Sequence, residues 1–319
     1  MTVSEIIRQT DRTLFSFEVL PPLRGKTIDS VFRTIDRLMP FHPAFVEVTT
    51  HRTDHVYKPL PDGTYQRVEQ RLRPGSVAIA SAIKERYKVP VVPHLICSGY
   101  SQQLTENELI DYSFLGIKDL LILRGDKSKQ DSTFVPAEGG FRHATELIEQ
   151  VNHFNEGRLL YDELHDYTRE SAFHYGVACY PEKHEEAMSM QWDLEMLLKK
   201  QEAGAEYAVT QMFFSNEKYF RFVDNCRKNG ITMPIVPGLK PLGTLNHCSM
   251  LPRTFHIDFP DELVGLLRHC TTDADVKQVG IEWGIRQAEK LKREGVPCIH
   301  FYTMNAAASI EQIAKEVWK

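Results

Sequence analysis

The chain has 319 residues, 42% of them hydrophobic and 25% charged, enough to bury a large core in one barrel-sized domain or in two smaller ones. A formal charge of −5 argues against a general nucleic-acid or anionic-membrane binder. No apolar run approaches the roughly 20 residues of a membrane span, and Met1 to Asp11 is too polar for a secretory signal, so a cytoplasmic protein is expected.

Along the chain, about eight short β-rich runs recur, each followed by helical spacing or loop chemistry. They are Leu14 to Val19, Phe45 to Thr49, Val89 to Ile96, Asp119 to Leu123, His174 to Cys179, Tyr207 to Met212, Ile231 to Pro237 and Cys298 to Tyr302. Amphipathic stretches lie between them: Ile28 to Leu38, Glu106 to Leu115, Glu185 to Gln201, Asn216 to Lys228 and Val276 to Glu294. No composition shift or Pro/Ser-rich linker divides the chain. Repeated βα units fit a closed barrel or an open doubly wound sheet, and the absence of G-x-G-x-x-G after an early strand favours the barrel. The expected fold is therefore α/β, a single-domain (β/α)8 TIM barrel over residues 1–319.

Two segments interrupt the spacing. His55 to Gly75, with Pro59, Pro61, Asp62, Gly63 and Pro74, reads as a long turn-rich loop. Phe154 to Ser171, charged and aromatic, reads as an extra helix or lid, and either segment suits a surface excursion or a homo-oligomer contact. Six cysteines, Cys97, Cys179, Cys226, Cys248, Cys270 and Cys298, are scattered without a C-x-x-C pair, so reduced thiols are expected.

Polar residues gather at the ends of several strands: Glu18, Thr49, His94, Asp126, Tyr180, Gln211 and Tyr302. In a barrel those ends converge on one face, where the catalytic loops lie. Glu18 interrupts an apolar strand, and desolvation there raises a carboxyl toward the range of a general acid; the bland alternative is a structurally paired carboxyl. The run Leu121-Ile122-Leu123-Arg124-Gly125-Asp126 drives a strand into a tip where Gly125 lets the backbone approach a ligand and Asp126 supplies a carboxylate. His94, Tyr180 and His184 suit a flat polar ligand, and the Gln211 amide can read a heteroaromatic edge. His184, Glu185 and Glu186 lack H-E-x-x-H spacing, so no metal is expected. Asp193, Lys199 and Lys200 share a helix with Trp192, Met196 and Leu197, and the lysines become functional only beside a phosphate-bearing cofactor.

Taken in order, Phe15 to Pro22, Leu123 to Asp126, Gly176 to His184, Ala208 to Phe214, Ile235 to Pro241 and Ile299 to Asn305 resemble the methylenetetrahydrofolate reductase family, in its short form without a regulatory domain. The resemblance implies a barrel holding FAD, reduced by NADH or NADPH, which passes hydride to methylenetetrahydrofolate and so feeds methionine synthesis. It implies that Glu18 protonates the leaving folate nitrogen and that Asp126 stabilises the cation beside flavin and pterin. Thr49, His94, Leu123, Arg124, Gly125, Asp126, Tyr180 and His184 match flavin contacts, as do His143 and Ala144; Asp193, Lys199 and Lys200 match ribityl and phosphate contacts. Gln211 matches the residue holding pterin or nicotinamide. Two departures stand out: His247 and Leu251 occupy substrate positions where the bacterial pattern has Gln and Phe, and Ala306 stands where an Arg is usual.

Two competing readings remain at this level. A barrel aldolase or isomerase would use Lys118 or Lys240, although neither lysine is evidently directed into a strand-end pocket. A non-catalytic flavin or folate binder would have no need of Glu18 as a proton donor.

Overall fold

A computed structural model describes residues 1–128, 131–162, 172–304 and 306–318. The chain begins with α1 (Val3–Gln9), β1 (Leu14–Val19), α2 (Asp29–Leu38) and β2 (Val46–Val48). A hairpin of β3 (Asp54–Pro59) and β4 (Tyr65–Gln70) follows, then α3 (Ser76–Tyr87), β5 (Val91–Ile96), α4 (Gln102–Phe114), β6 (Asp119–Leu123) and α5 (Ala144–Asn155). The second half runs through β7 (His174–Cys179), α6 (Met190–Glu202), β8 (Tyr207–Thr210), α7 (Asn216–Lys228), β9 (Ile235–Val236) and β10 (Gly238–Leu239). It ends with α8 (His247–Phe255), α9 (Asp261–Leu267), α10 (Asp273–Arg293), β11 (Cys298–Tyr302) and α11 (Ala307–Val317).

Among the described residues, all strands outside the hairpin belong to one parallel sheet in the order β10-β11-β1-β2-β5-β6-β7-β8-β9. Because β9 and β10 are one strand broken at Pro237, the order returns to itself and eight strands make the barrel. Proline has no N–H to give to the ladder, but its carbonyl still accepts from the His300 backbone N–H at 2.9 Å. The fold is the expected single-domain (β/α)8 barrel.

Period-two alternation sorts the side chains. Phe15, Phe17 and Val19 pack outward with Val31, Ile35 and Leu38 of α2. The intervening positions point to the barrel axis. Near the N-terminal ends of the strands the interior is filled by Phe45, Val92, Leu121, Tyr207, Val209, Val236 and Cys298, closed below by Val3 and Ile7 of α1. Gly176 makes this filling possible, since a Cβ there would lie 2.4 Å from the Tyr207 ring.

The chain from Asp54 to Gln70 is a hairpin rather than a loop. Its strands are mostly exposed on both faces, so no apolar alternation marks them in the sequence. The Leu60 N–H donates to the Thr64 carbonyl at 2.8 Å across the Asp62-Gly63 turn. Of the Phe154 to Ser171 segment, Phe154 and Asn155 finish α5, and 163–171 lie outside the described residues, as does Asn305. The six cysteines are free thiols.

Candidate functional site

The strand-end face begins two residues above the apolar filling. On β1, Ser16 and Glu18 turn inward; Glu18 pairs in register with Glu47 of β2 on one side and Tyr302 of β11 on the other. Glu18 is 7% exposed. Burial is the main force raising its pKa from 4.5 to about 7; His94 opposes the rise, Glu47 adds to it, and Lys240 opposes it. A carboxyl poised there can hold a proton and release it near neutrality.

Glu47 is the buried hub beneath. Its Oε2 lies 3.1 Å from His94 Nε2 and 3.4 Å from His300 Nε2, while His300 Nδ1 lies 3.0 Å from Ser16 Oγ. Burial pushes the Glu47 carboxyl up, but the two imidazoles, His300 first, outweigh it and hold it below the ordinary carboxylate range. Burial keeps His300 neutral by pushing its pKa down. Glu47 and His300 were missed in the sequence, yet the parity of their strands marks them: Phe45, Glu47 and Thr49 share one face, as do Cys298, His300 and Tyr302.

The expected site residues from the next strands gather on the same face. Thr49 Oγ1 lies 3.3 Å from His51 Nε2. Leu123 ends β6 and leads into Arg124, whose guanidinium pairs with Glu186 and lies 4.7 Å over the Phe134 ring. Gly125 sits at φ +79°, where a Cβ would meet Ser98 Cβ at 2.9 Å, so only glycine brings the backbone this close. Asp126 stands exposed at the rim beyond β6, its carboxyl raised by partial withdrawal from water, with Arg124 opposing the rise and Glu185 adding to it. Tyr180 and His184 form an edge-to-face pair with centroids 4.7 Å apart. The Gln211 amide is half-buried, its Oε1 accepting from the Met212 N–H at 2.9 Å.

Farther out, the Asp193 carboxylate accepts from the His184 N–H at 2.8 Å. Lys200 reaches under the strand ends, its Nζ donating to the Ala178 carbonyl at 3.2 Å, whereas Lys199 is exposed on α6. His143 precedes α5, its N–H donating to Glu146 at 2.8 Å, and Ala144 opens that helix. His247 opens α8, its Nδ1 accepting from the Gly243 N–H at 3.1 Å. Leu251 is fully buried in the apolar cluster of Met212, Phe214 and Trp283. Lys240, for which the sequence supplied no strand-end direction, is directed there: it follows β10, is 4% exposed and lies beside Glu18.

A parallel barrel with a buried carboxyl, flanking imidazoles and a glycine at a strand tip on its C-terminal face has the form of the barrel enzymes, whose sites lie in that mouth. The chain belongs to the methylenetetrahydrofolate reductase family, whose model matches residues 2–317. It is 32% identical over 295 residues to the 5,10-methylenetetrahydrofolate reductase of Pectobacterium carotovorum, covering 92% of this chain and 86% of that one. The Escherichia coli enzyme of the same name is 31% identical, with the same coverage. Methylenetetrahydrofolate reductase (NADH) 1 of Arabidopsis thaliana is 30% identical across 95% of this chain, which spans only 48% of that longer relative. Among solved structures, an uncharacterised Clostridium thermocellum protein described as binding two copies of 5-methyl-5,6,7,8-tetrahydrofolic acid aligns over 99% of both chains. Its TM-score is 0.58 and its identity 13%, a likeness of fold.

Proposed function

We propose that the chain reduces methylenetetrahydrofolate to methyltetrahydrofolate at the expense of NADH or NADPH, feeding methionine synthesis. FAD, when bound, supplies a hydride carrier that lets the nicotinamide and the folate react in turn at one site. The observation that carries this reading is Glu18, a buried carboxyl held near neutrality at the strand-end face of a chain from this family.

The residues present fit such a cofactor. Arg124 Nε is buried with no hydrogen-bond partner among the described residues, Gly125 folds the strand tip down against Ser98, and the Tyr180–His184 pair offers an aromatic wall. Thr49, His94, Leu123, Arg124, Gly125, Asp126, Tyr180 and His184 would hold the ring system. His143, Ala144, Asp193 and Lys200 would serve the remainder. Gln211 would present its amide to pterin or nicotinamide, with His247 beside the substrate. In the folate half-reaction, Glu18 gives its proton to the ring nitrogen as that nitrogen leaves the bridging carbon. The Asp126 carboxylate faces the cation that develops.

The cofactor assignment is checked by the absorbance of the purified, reconstituted protein and by chromatography of what it releases on denaturation. FAD is expected, with turnover on reduced nicotinamide and methylenetetrahydrofolate. A folded, reconstituted protein without a flavin band would sink the reading. The aldolase alternative gains one observation, the burial of Lys240 at a strand end. It would show as covalent capture of a carbonyl substrate by borohydride in a colourless protein.

A further inference from the structure

Lys240 extends the strand that carries Leu239, and Leu239 pairs in register with Phe301, one residue before Tyr302. Since Tyr302 pairs with Glu18, the positions of Lys240, Tyr302 and Glu18 stand level on three adjacent strands. Both charged side chains are nearly buried, and no hydrogen bond to another described residue engages either head group. The tyrosine between them is turned away, its hydroxyl donating to the Thr210 carbonyl. Gly238 makes room for that turn, because a Cβ there would meet the Thr210 oxygen at 2.4 Å and Tyr302 Oη at 2.6 Å.

The surroundings of the pair are asymmetric. Glu18 faces Glu47 from β2, His94 from β5 and Tyr302 from β11, while Lys240 faces Glu18 from β1 and His247 from α8. The negative charge of Glu47 is already engaged by two imidazoles. His247 is pushed toward its neutral form by burial and by Lys240, so it adds no cation. Once Glu18 has given up its proton, two carboxylates stand in register on neighbouring strands. A buried carboxylate without a counter-charge is far costlier than a neutral carboxyl.

We propose that Lys240 is the positioning residue of the proton donor, its ammonium group facing Glu18 to receive the negative charge left when the proton passes to the folate nitrogen. This rests on Glu18 being that donor. The Glu18 O–H bond breaks and an N–H bond forms, while the pair of the breaking C–N bond stays on nitrogen. Lys240 keeps its own protons, and solvent reprotonates Glu18 afterwards. Burial lowers Lys240 to about 8, with Glu18 opposing, so the ammonium persists at neutral pH.

Lys240→Met retains length and burial without the charge. Glu18 should then hold its proton to higher pH, moving the alkaline limb of the folate half-reaction upward by about one unit while the optimal rate falls about tenfold. Reduction of the protein by the nicotinamide should stay within about threefold. The same upward shift should appear without folate in the infrared titration of the protonated Glu18 carboxyl, assigned by its loss in Glu18→Gln. Lys240→Arg should restore most of it. A slower Lys240→Met with an unmoved limb and an unmoved infrared titration would overturn the proposal, as would a raised KM for folate as the sole change. If Glu18→Gln reduces folate normally, the donor reading fails, whereas the infrared titration still decides whether Lys240 and Glu18 are coupled.

Discussion

The barrel interior has two storeys built by the same strands. The lower one, Phe45, Val92, Leu121, Tyr207, Val209 and Val236, is apolar apart from a phenol and is sealed by α1. The upper one, only a residue pair farther along, holds Ser16, Glu18, Glu47, His94, His300 and Lys240. Moving one repeat along a strand therefore changes the currency from dispersion and area to charge. The lower storey gains stability from burial, whereas the upper spends some of it to keep ionisable groups out of water.

The largest expected effect breaks the lower storey. Leu121→Ala should cost about 2–5 kcal/mol by opening a cavity among close-packed neighbours. Chemical denaturation should show a lower midpoint at unchanged slope, with both half-reactions nearly normal per folded molecule. A large loss of turnover at preserved stability would show that the two storeys are not separable.

Glu18→Gln probes the upper storey in the opposite direction. Folate reduction should fall at least about 100-fold, and flavin reduction should stay within about tenfold, in stopped-flow measurements of each half-reaction. Stability should respond to pH with a definite sign. The folded pKa of about 7 lies above the 4.5 of an unfolded chain, so this group's stabilisation is complete below about pH 4.5 and lost as pH rises through 7. The full difference is about 3 kcal/mol. Relative to wild type, Glu18→Gln should thus be more stable at pH 8 than at pH 5, and a pH-independent difference would refute the raised carboxyl.

Asp126→Asn sharpens the comparison with the smallest effect. Its carboxylate sits at the rim, open to solvent, so screening limits its loss in the folate half-reaction to about 1–2 kcal/mol. An equal loss in both half-reactions with flavin still bound would remove it from the assigned role.

The barrel could be read from the sequence because β1, β6, β7 and β11 are apolar, β-branched or aromatic runs whose bounds match the structure residue for residue. Elements without such contrast escaped. The β3–β4 hairpin buries no face, and α3, with apolar and small residues nearly all round, carries little helical periodicity. α1, α5, α8, α9 and α11 also went unread, and α6 starts five residues later than Glu185, where Ser189 caps it by accepting from the Trp192 N–H. In the site, the residues lying just beyond their strands were legible as polar punctuation: Thr49, Asp126, Tyr180 and Gln211. Glu47 and His300 lie one repeat deeper, where a polar residue looks like a flaw in a core until its cross-strand partners are known. Lys240 was obscured differently, since Pro237 breaks its strand and hides which way the next side chains point.

That break at Pro237 also sets where the wall can move. β9 and β10, the two halves of one stave, are two residues each, and β9 meets β8 and β10 meets β11 through only two register pairs apiece. Local opening costs least where backbone pairing is thinnest, so this seam is where the barrel would breathe first. Lys240 rides on the edge of the seam. Opening of this seam would change its distance from Glu18, and with it the acidity of that carboxyl.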